Sequence, residues 1–215
     1  MTRALFAKEL RETAGIVLLA LAAYVYVATS LTGIRVPPMF LGEEGIPFVG
    51  GEFLAAFAFV SAVLVVTLGL RQSLGESYRG TFLLLLHRPA SRRRLIAAKL
   101  ATGTGLYLVC SPLAILAYAW WAATPGTHAS PFEWSMTVPV WKLWISMVPL
   151  YLASFLTGIR PARWFGTRLA PLAAAGLLVT LVQFVPWWPV FLAAIVLLAA
   201  ALAASIFFVA GERDY

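Results

Sequence analysis

The stretch from Glu76 to Lys99, ESYRGTFLLLLHRPASRRRLIAAK, is the one long polar break in a chain of otherwise apolar runs. With Arg71 just ahead of it, it carries seven of the sixteen basic residues. Pro89 lacks an amide donor and disfavours helix at the residue before it, so a helix over roughly 76–88 is expected to stop there. Ser91 then stands at an N-cap position, with Arg92, Arg93 and Arg94 in the first turn of the next helix. Three cations at a helix N-terminus oppose the macrodipole by about 0.3–1 kcal/mol each when exposed, so helix stability does not account for them. Two explanations remain: anchoring to anionic headgroups, at about 1 kcal/mol per basic residue, or contact with an acidic partner. Phe82–Leu86 is too short to cross a bilayer; it lies along the interface or packs into a protein groove.

Outward from this break the chain is membrane-like. It is 215 residues long, 61% hydrophobic and 12% charged, against about 25% charged for a soluble domain. Such low charge, gathered between long uncharged runs, defines an all-α polytopic membrane protein with one transmembrane domain over 1–215. The net charge of +7 does not point to nucleic acid, because the basic residues flank the apolar runs, where they set topology and meet lipid. The single Cys110 excludes an internal disulfide and falls inside an apolar run. No cleavable signal peptide is evident, since MTRALFAKELRETAG is too polar and the run behind it too long.

Residues 1–13 set Leu5, Phe6 and Leu10 against Arg3, Lys8, Glu9, Arg11 and Glu12. This is either a short helix in the membrane interface or a polar lead into the first span. Spans are expected at about 14–34, 53–70, 100–121, 143–159, 169–185 and 190–210. Ser111-Pro112 is a kink site in the third. Trp120, Trp121, Trp134 and Trp141 border the loop before the fourth as an aromatic belt. The last two spans are separated by inference: Leu169–Gly211 holds 43 residues without a charge, about 65 Å as one helix. Pro186-Trp187-Trp188-Pro189 is where it must fold back. Fourteen basic residues fall on the side of both termini and the central break, and only Arg35 and Lys142 on the other, which makes the former cytoplasmic.

Motifs for chemistry are missing from the sequence. There is no G-x-x-x-x-G-K-[ST], H-E-x-x-H or G-x-S-x-G, and His87 and His128 are expected on opposite sides of the membrane. No catalytic, cofactor or metal residue is assigned. Within the spans only Gln183, Thr67, Ser61, Thr180 and a few tyrosines interrupt the apolar sequence. An ion-coupled carrier, which needs a buried ionisable residue, is therefore disfavoured. Gln183 is read as an interhelical hydrogen-bonding residue and Glu52 as a solvated interfacial one.

The pattern Glu76…Gly80-Thr81…Pro89-x-Ser91-Arg92…Lys99 resembles the region between the second and third helices of exporter-type (type-2) ABC transporter permeases. The resemblance in layout covers nearly the whole chain: an N-terminal interfacial helix, six spans and cytoplasmic ends. It implies that 76–94 is a coupling helix that docks on a separate ATP-binding subunit, which would hold the ATP and Mg. The implied docking positions are Glu76, Gly80, Thr81, Pro89, Ser91, Arg92 and Lys99, with Arg93 beside them. It further implies a second permease subunit, identical or homologous, and an inner (plasma) membrane location. The chain departs from the pattern at His87-Arg88, where relatives carry small or apolar residues, and in its short link between the fifth and sixth spans. The alternative is a non-transporting scaffold or immunity-type protein that recruits a soluble partner through the same basic face.

Overall fold

The computed structural model describes residues 2–32, 45–79, 92–124, 126, 132–160 and 164–212. Every regular element among them is helical: α1 (Thr2–Leu31), α2 (Glu52–Arg79), α3 (Arg92–Cys110), α4 (Pro112–Ala122), a 3-10 turn (Trp134–Thr137), α5 (Val138–Ile159), α6 (Phe165–Val182) and α7 (Trp188–Glu212). Five helical stretches are long and apolar enough to cross a membrane: Phe6–Leu31, Glu52–Leu74, Arg93–Ala122, Trp134–Ile159 and Trp188–Gly211. The chain is therefore a multi-pass membrane protein. The fifth expected span, 169–185, corresponds to the shorter apolar helix Gly166–Val182, about 26 Å long at ~1.5 Å per residue.

The N-terminal thirteen residues do not form a separate helix. α1 runs unbroken from Thr2, because its charged residues cost nothing in backbone hydrogen bonding, and its buried face continues into this part through Thr13 and Glu9. α2 overruns its expected span, continuing past Leu70 to Arg79, while α3 starts at Arg92, in the first turn expected for that helix, ahead of the span from Leu100. Ser111-Pro112 does interrupt the third crossing, dividing α3 from α4. Pro186–Pro189 marks the fold-back between α6 and α7 as expected, with α7 starting at Trp188.

α5 is the central element. Pro149–Gly158 are buried without interruption, as in a helix surrounded on all sides, and α5 packs on α2, α6 and α7. Its closest partner is α2. A Cβ on Gly69 would meet Ser154 Oγ and, at 2.8 and 2.9 Å, the Tyr151 carbonyl and Phe155 amide; one on Gly158 would meet Ser73. Gly69-x-x-x-Ser73 thus lies along Ser154-x-x-x-Gly158 with the numbers rising together, so the two helices run parallel and touch backbone to backbone. Ser154 Oγ donates to the Val65 carbonyl at 3.2 Å across this seam. α1 runs antiparallel to α2, with Tyr24 OH 2.7 Å from Ser61 Oγ.

The two ends of the bundle differ. At the loop end, Phe53 stacks on Tyr118 at 4.4 Å and Phe48 closes over both, at 5.1 and 4.9 Å. Phe48 is buried and adopts φ 65, a conformation that a bulky residue holds only when its surroundings impose it. Lys142 donates to the Val185 carbonyl at 3.0 Å and stands 5.7 and 5.4 Å from the Trp188 and Phe191 rings, which fastens the α6–α7 turn to α5. At the other end Arg168 donates to the Thr157 and Gly158 carbonyls at 3.2 and 3.1 Å, closing the C-terminus of α5. α7 is apolar all round yet largely uncovered, with Val190, Leu192, Val196, Leu197 and Phe208 exposed, as a lipid-facing helix should be.

Candidate functional site

The expected docking positions that the structure describes lie at or near the Arg168 end of the bundle. Glu76 falls in the last turns of α2, and Arg92 opens α3. Gly80, Thr81, Pro89 and Ser91 lie outside the described residues, as does the remainder of 80–91, so the expected coupling helix is not described there. Arg93 and Arg94 are exposed at the start of α3. Lys99 differs from its expected role: it is 7% exposed and faces the interior of the bundle, where it cannot meet a partner's surface. Two turns of helix separate it from Arg92, which is enough to carry its side chain below the helix ends.

Lys99 Nζ pairs with Glu9 Oε1 at 3.1 Å, both side chains being less than a tenth exposed. It also donates to the Gln72 carbonyl at 3.1 Å. Gln72 Nε2 is 3.4 Å from Glu9 Oε2 and 3.4 Å from the Lys99 carbonyl. Tyr151 OH donates to Gln72 Oε1 at 2.6 Å and lies 3.3 Å from the Lys99 carbonyl. Gly103 makes room for this group: a Cβ there would run into the Tyr151 ring and, at 2.6 Å, Gln72 Oε1. Thr13, one turn on from Glu9, gives its hydroxyl to the Glu9 carbonyl at 2.8 Å. A single polar cluster thus joins α1, α2, α3 and α5.

Glu9 and Lys99 fall inside two of the apolar crossings, Phe6–Leu31 and Arg93–Ala122. This corrects the expectation that no ionisable residue interrupts the spans. Both were counted with the polar flanks, whereas helix continuity carries them into the packed interior. The pair is energetically one-sided. Exchange of a buried ion pair for apolar residues of similar size is often neutral or stabilising, whereas removing one partner costs about 3–5 kcal/mol.

Higher in the bundle, Tyr107 OH donates to the Trp144 carbonyl at 3.0 Å, Trp144 Nε1 donates to Ser111 Oγ at 2.9 Å, and Ser111 Oγ donates to the Tyr107 carbonyl at 2.6 Å. This closed triangle sits where Pro112 breaks the helix. Gln183 Nε2 donates to Ser146 Oγ at 2.7 Å, the interhelical bond expected of it. Glu52, read as solvated, stands in the first turn of α2, where the macrodipole favours a carboxylate. Its Oε2 is nevertheless buried and has no hydrogen-bond partner among the described residues.

Among the described residues no group of three or more His, Cys, Asp or Glu is placed to hold a metal ion. His87 and His128 lie outside them. No family model, curated protein or solved structure matches the chain.

Proposed function

We propose that this chain is the membrane-spanning subunit of an ATP-driven exporter, moved by a separate ATP-binding subunit that docks on residues 76–94. One observation carries the reading. The helices on which that segment hangs, α2 and α3, are tied to each other and to α1 and α5 by Gln72, Lys99, Glu9 and Tyr151 just behind it. A displacement applied to the segment is then delivered to four helices together rather than spent in bending one. The exposed Arg93 and Arg94 supply a basic face at that point, and the Glu76…Gly80-Thr81…Pro89-x-Ser91-Arg92 pattern resembles that of permeases that couple in this way.

In this reading α6 is a crossing too, the fifth of six, its short apolar length met by local thinning of the bilayer, and both ends of the chain are cytoplasmic. A second permease subunit, identical or homologous, completes the path. The chain itself hydrolyses nothing; ATP and Mg are bound by the partner. The buried Glu9–Lys99 pair reopens the ion-coupled carrier as a class. The exporter reading stays ahead of it because Glu9, the acid of this pair, is engaged by both Lys99 and Gln72 rather than open to an ion.

The test is charge reversal on the exposed face. Arg92→Glu with Arg93→Glu is expected to lower co-purification with the ATP-binding subunit about tenfold, the equivalent of ~1.4 kcal/mol, while the bundle stays folded. Unchanged association removes docking at this face. A soluble partner without ATPase activity, retained by the basic face, would instead favour the scaffold.

A further inference from the structure

The four residues behind the docking segment are not equally bound to one another. Gln72, Lys99 and Tyr151 form a closed set: Tyr151 donates to the Gln72 side chain, Lys99 Nζ to the Gln72 carbonyl, and Gln72 Nε2 reaches the Lys99 carbonyl. This tripod fixes α2, α3 and α5 to one another and needs nothing from α1. Glu9 touches it through its carboxylate alone, by the ion pair at 3.1 Å and the longer contact from Gln72 at 3.4 Å.

The position of Glu9 makes that single attachment separable. It stands in the early turns of α1, with Leu10, Arg11 and Glu12 exposed beside it. A small outward swing of these turns therefore brings the carboxylate to water, while the tripod keeps its own hydrogen bonds. α1 packs on α2, α3 and α4 and lies at the margin of the bundle, so no central packing has to break. Farther along, the apolar stripe Val17, Ala20, Tyr24, Val27 and Leu31 is buried and supplies the hinge side of such a motion. A charge pair at this place adds little that apolar packing would not; what it adds is a contact with two defined states, paired or hydrated.

We propose that the Glu9–Lys99 pair is a conformational latch, which holds the first turns of α1 against the α2–α3–α5 tripod and releases them as a unit. The proposal does not depend on the exporter reading, because its readout needs neither an ATPase nor a substrate. The full chain, with Cys110→Ala, carries spin labels at Glu12→Cys and Arg160→Cys, both exposed on the same end of the bundle, and is placed in lipid nanodiscs. Pulsed dipolar spectroscopy then reads the distance between the ends of α1 and α5.

With the native pair, a main short component and a minor longer one are expected. Glu9→Gln raises the longer population at least threefold. Glu9→Leu with Lys99→Leu, which removes both charges and leaves neither unpaired, reduces the distribution to the short component. A single component with the native pair overturns the latch, whatever the variants do and even if Glu9→Gln fails to fold. So does a longer population that the apolar double variant leaves unchanged or increases.

Discussion

Glu9 and Gly69 show how much a single position decides in this bundle. On α1 the buried residues fall at Glu9, Thr13, Val17, Ala20, Tyr24, Val27 and Leu31, steps of three and four that place Glu9 in register with the apolar stripe. That register is written in the sequence, and read at face value it puts a carboxylate inside. The surrounding charges Lys8, Arg11 and Glu12 hide it, because they give the segment the look of a solvated lead. Lys99 and Gln72 are hidden in the same way by the arginines that precede each of them. What no pattern discloses is that the three converge, since that depends on how four helices are placed. Removing one charge is expected to be far worse than removing both. Lys99→Met should lower unfolding stability by about 3–5 kcal/mol, and Glu9→Leu with Lys99→Leu should return it to within about 1 kcal/mol, measured by denaturant titration in detergent micelles. At Gly69 any side chain meets the α5 backbone, so Gly69→Val should cost about 1–3 kcal/mol in the same titration. Gly105→Ala, which faces open space, should cost little.

At the scale of elements, helix existence was legible from the length of the uncharged runs, and helix ends only in part. Charged residues end a span in the hydropathy pattern without ending the helix, which is why α2 reaches Arg79, whereas the start of α3 at Arg92 was legible from the Pro-x-Ser turn before it. Proline marked an interruption only in company with other signals: Ser111-Pro112 and Pro186–Pro189 both interrupt helices where expected, whereas Pro149 and Pro171 lie inside α5 and α6. The two positively charged clamps were not legible, because each joins a side chain to a carbonyl distant in sequence or on another element. Lys142→Ala should release the α6–α7 turn, seen as faster amide exchange around 183–187, at a cost of about 1 kcal/mol. Arg168→Ala should leave the Thr157 and Gly158 carbonyls without their donor and speed exchange over the last turn of α5, with no change at the opposite end.

For the whole molecule, the arrangement is a core of α5 against α2, with α1 and α3 packed on α2, the α6–α7 hairpin packed on α5, and α3 also touching α7. The flanks serve different purposes. The first carries the polar cluster and the ends from which residues 80–91 are suspended, whereas the hairpin offers mainly apolar surface to lipid. In the proposed reading the polar end faces the cytoplasm, the orientation expected from the charge asymmetry along the chain. With Cys110→Ala as background, a cysteine at Arg93 should react with an impermeant thiol reagent only in inside-out vesicles, and one at Glu133 only in right-side-out vesicles. The functional account depends on that orientation and on what touches the basic face once it is there. Its most direct test places a photo-crosslinking residue at Arg93 and irradiates inside-out membranes from the native host. The account predicts one dominant adduct, between this chain and a subunit with an ATP-binding P-loop, lost on Arg92→Glu; an adduct pattern that contains no ATP-hydrolysing protein would contradict it.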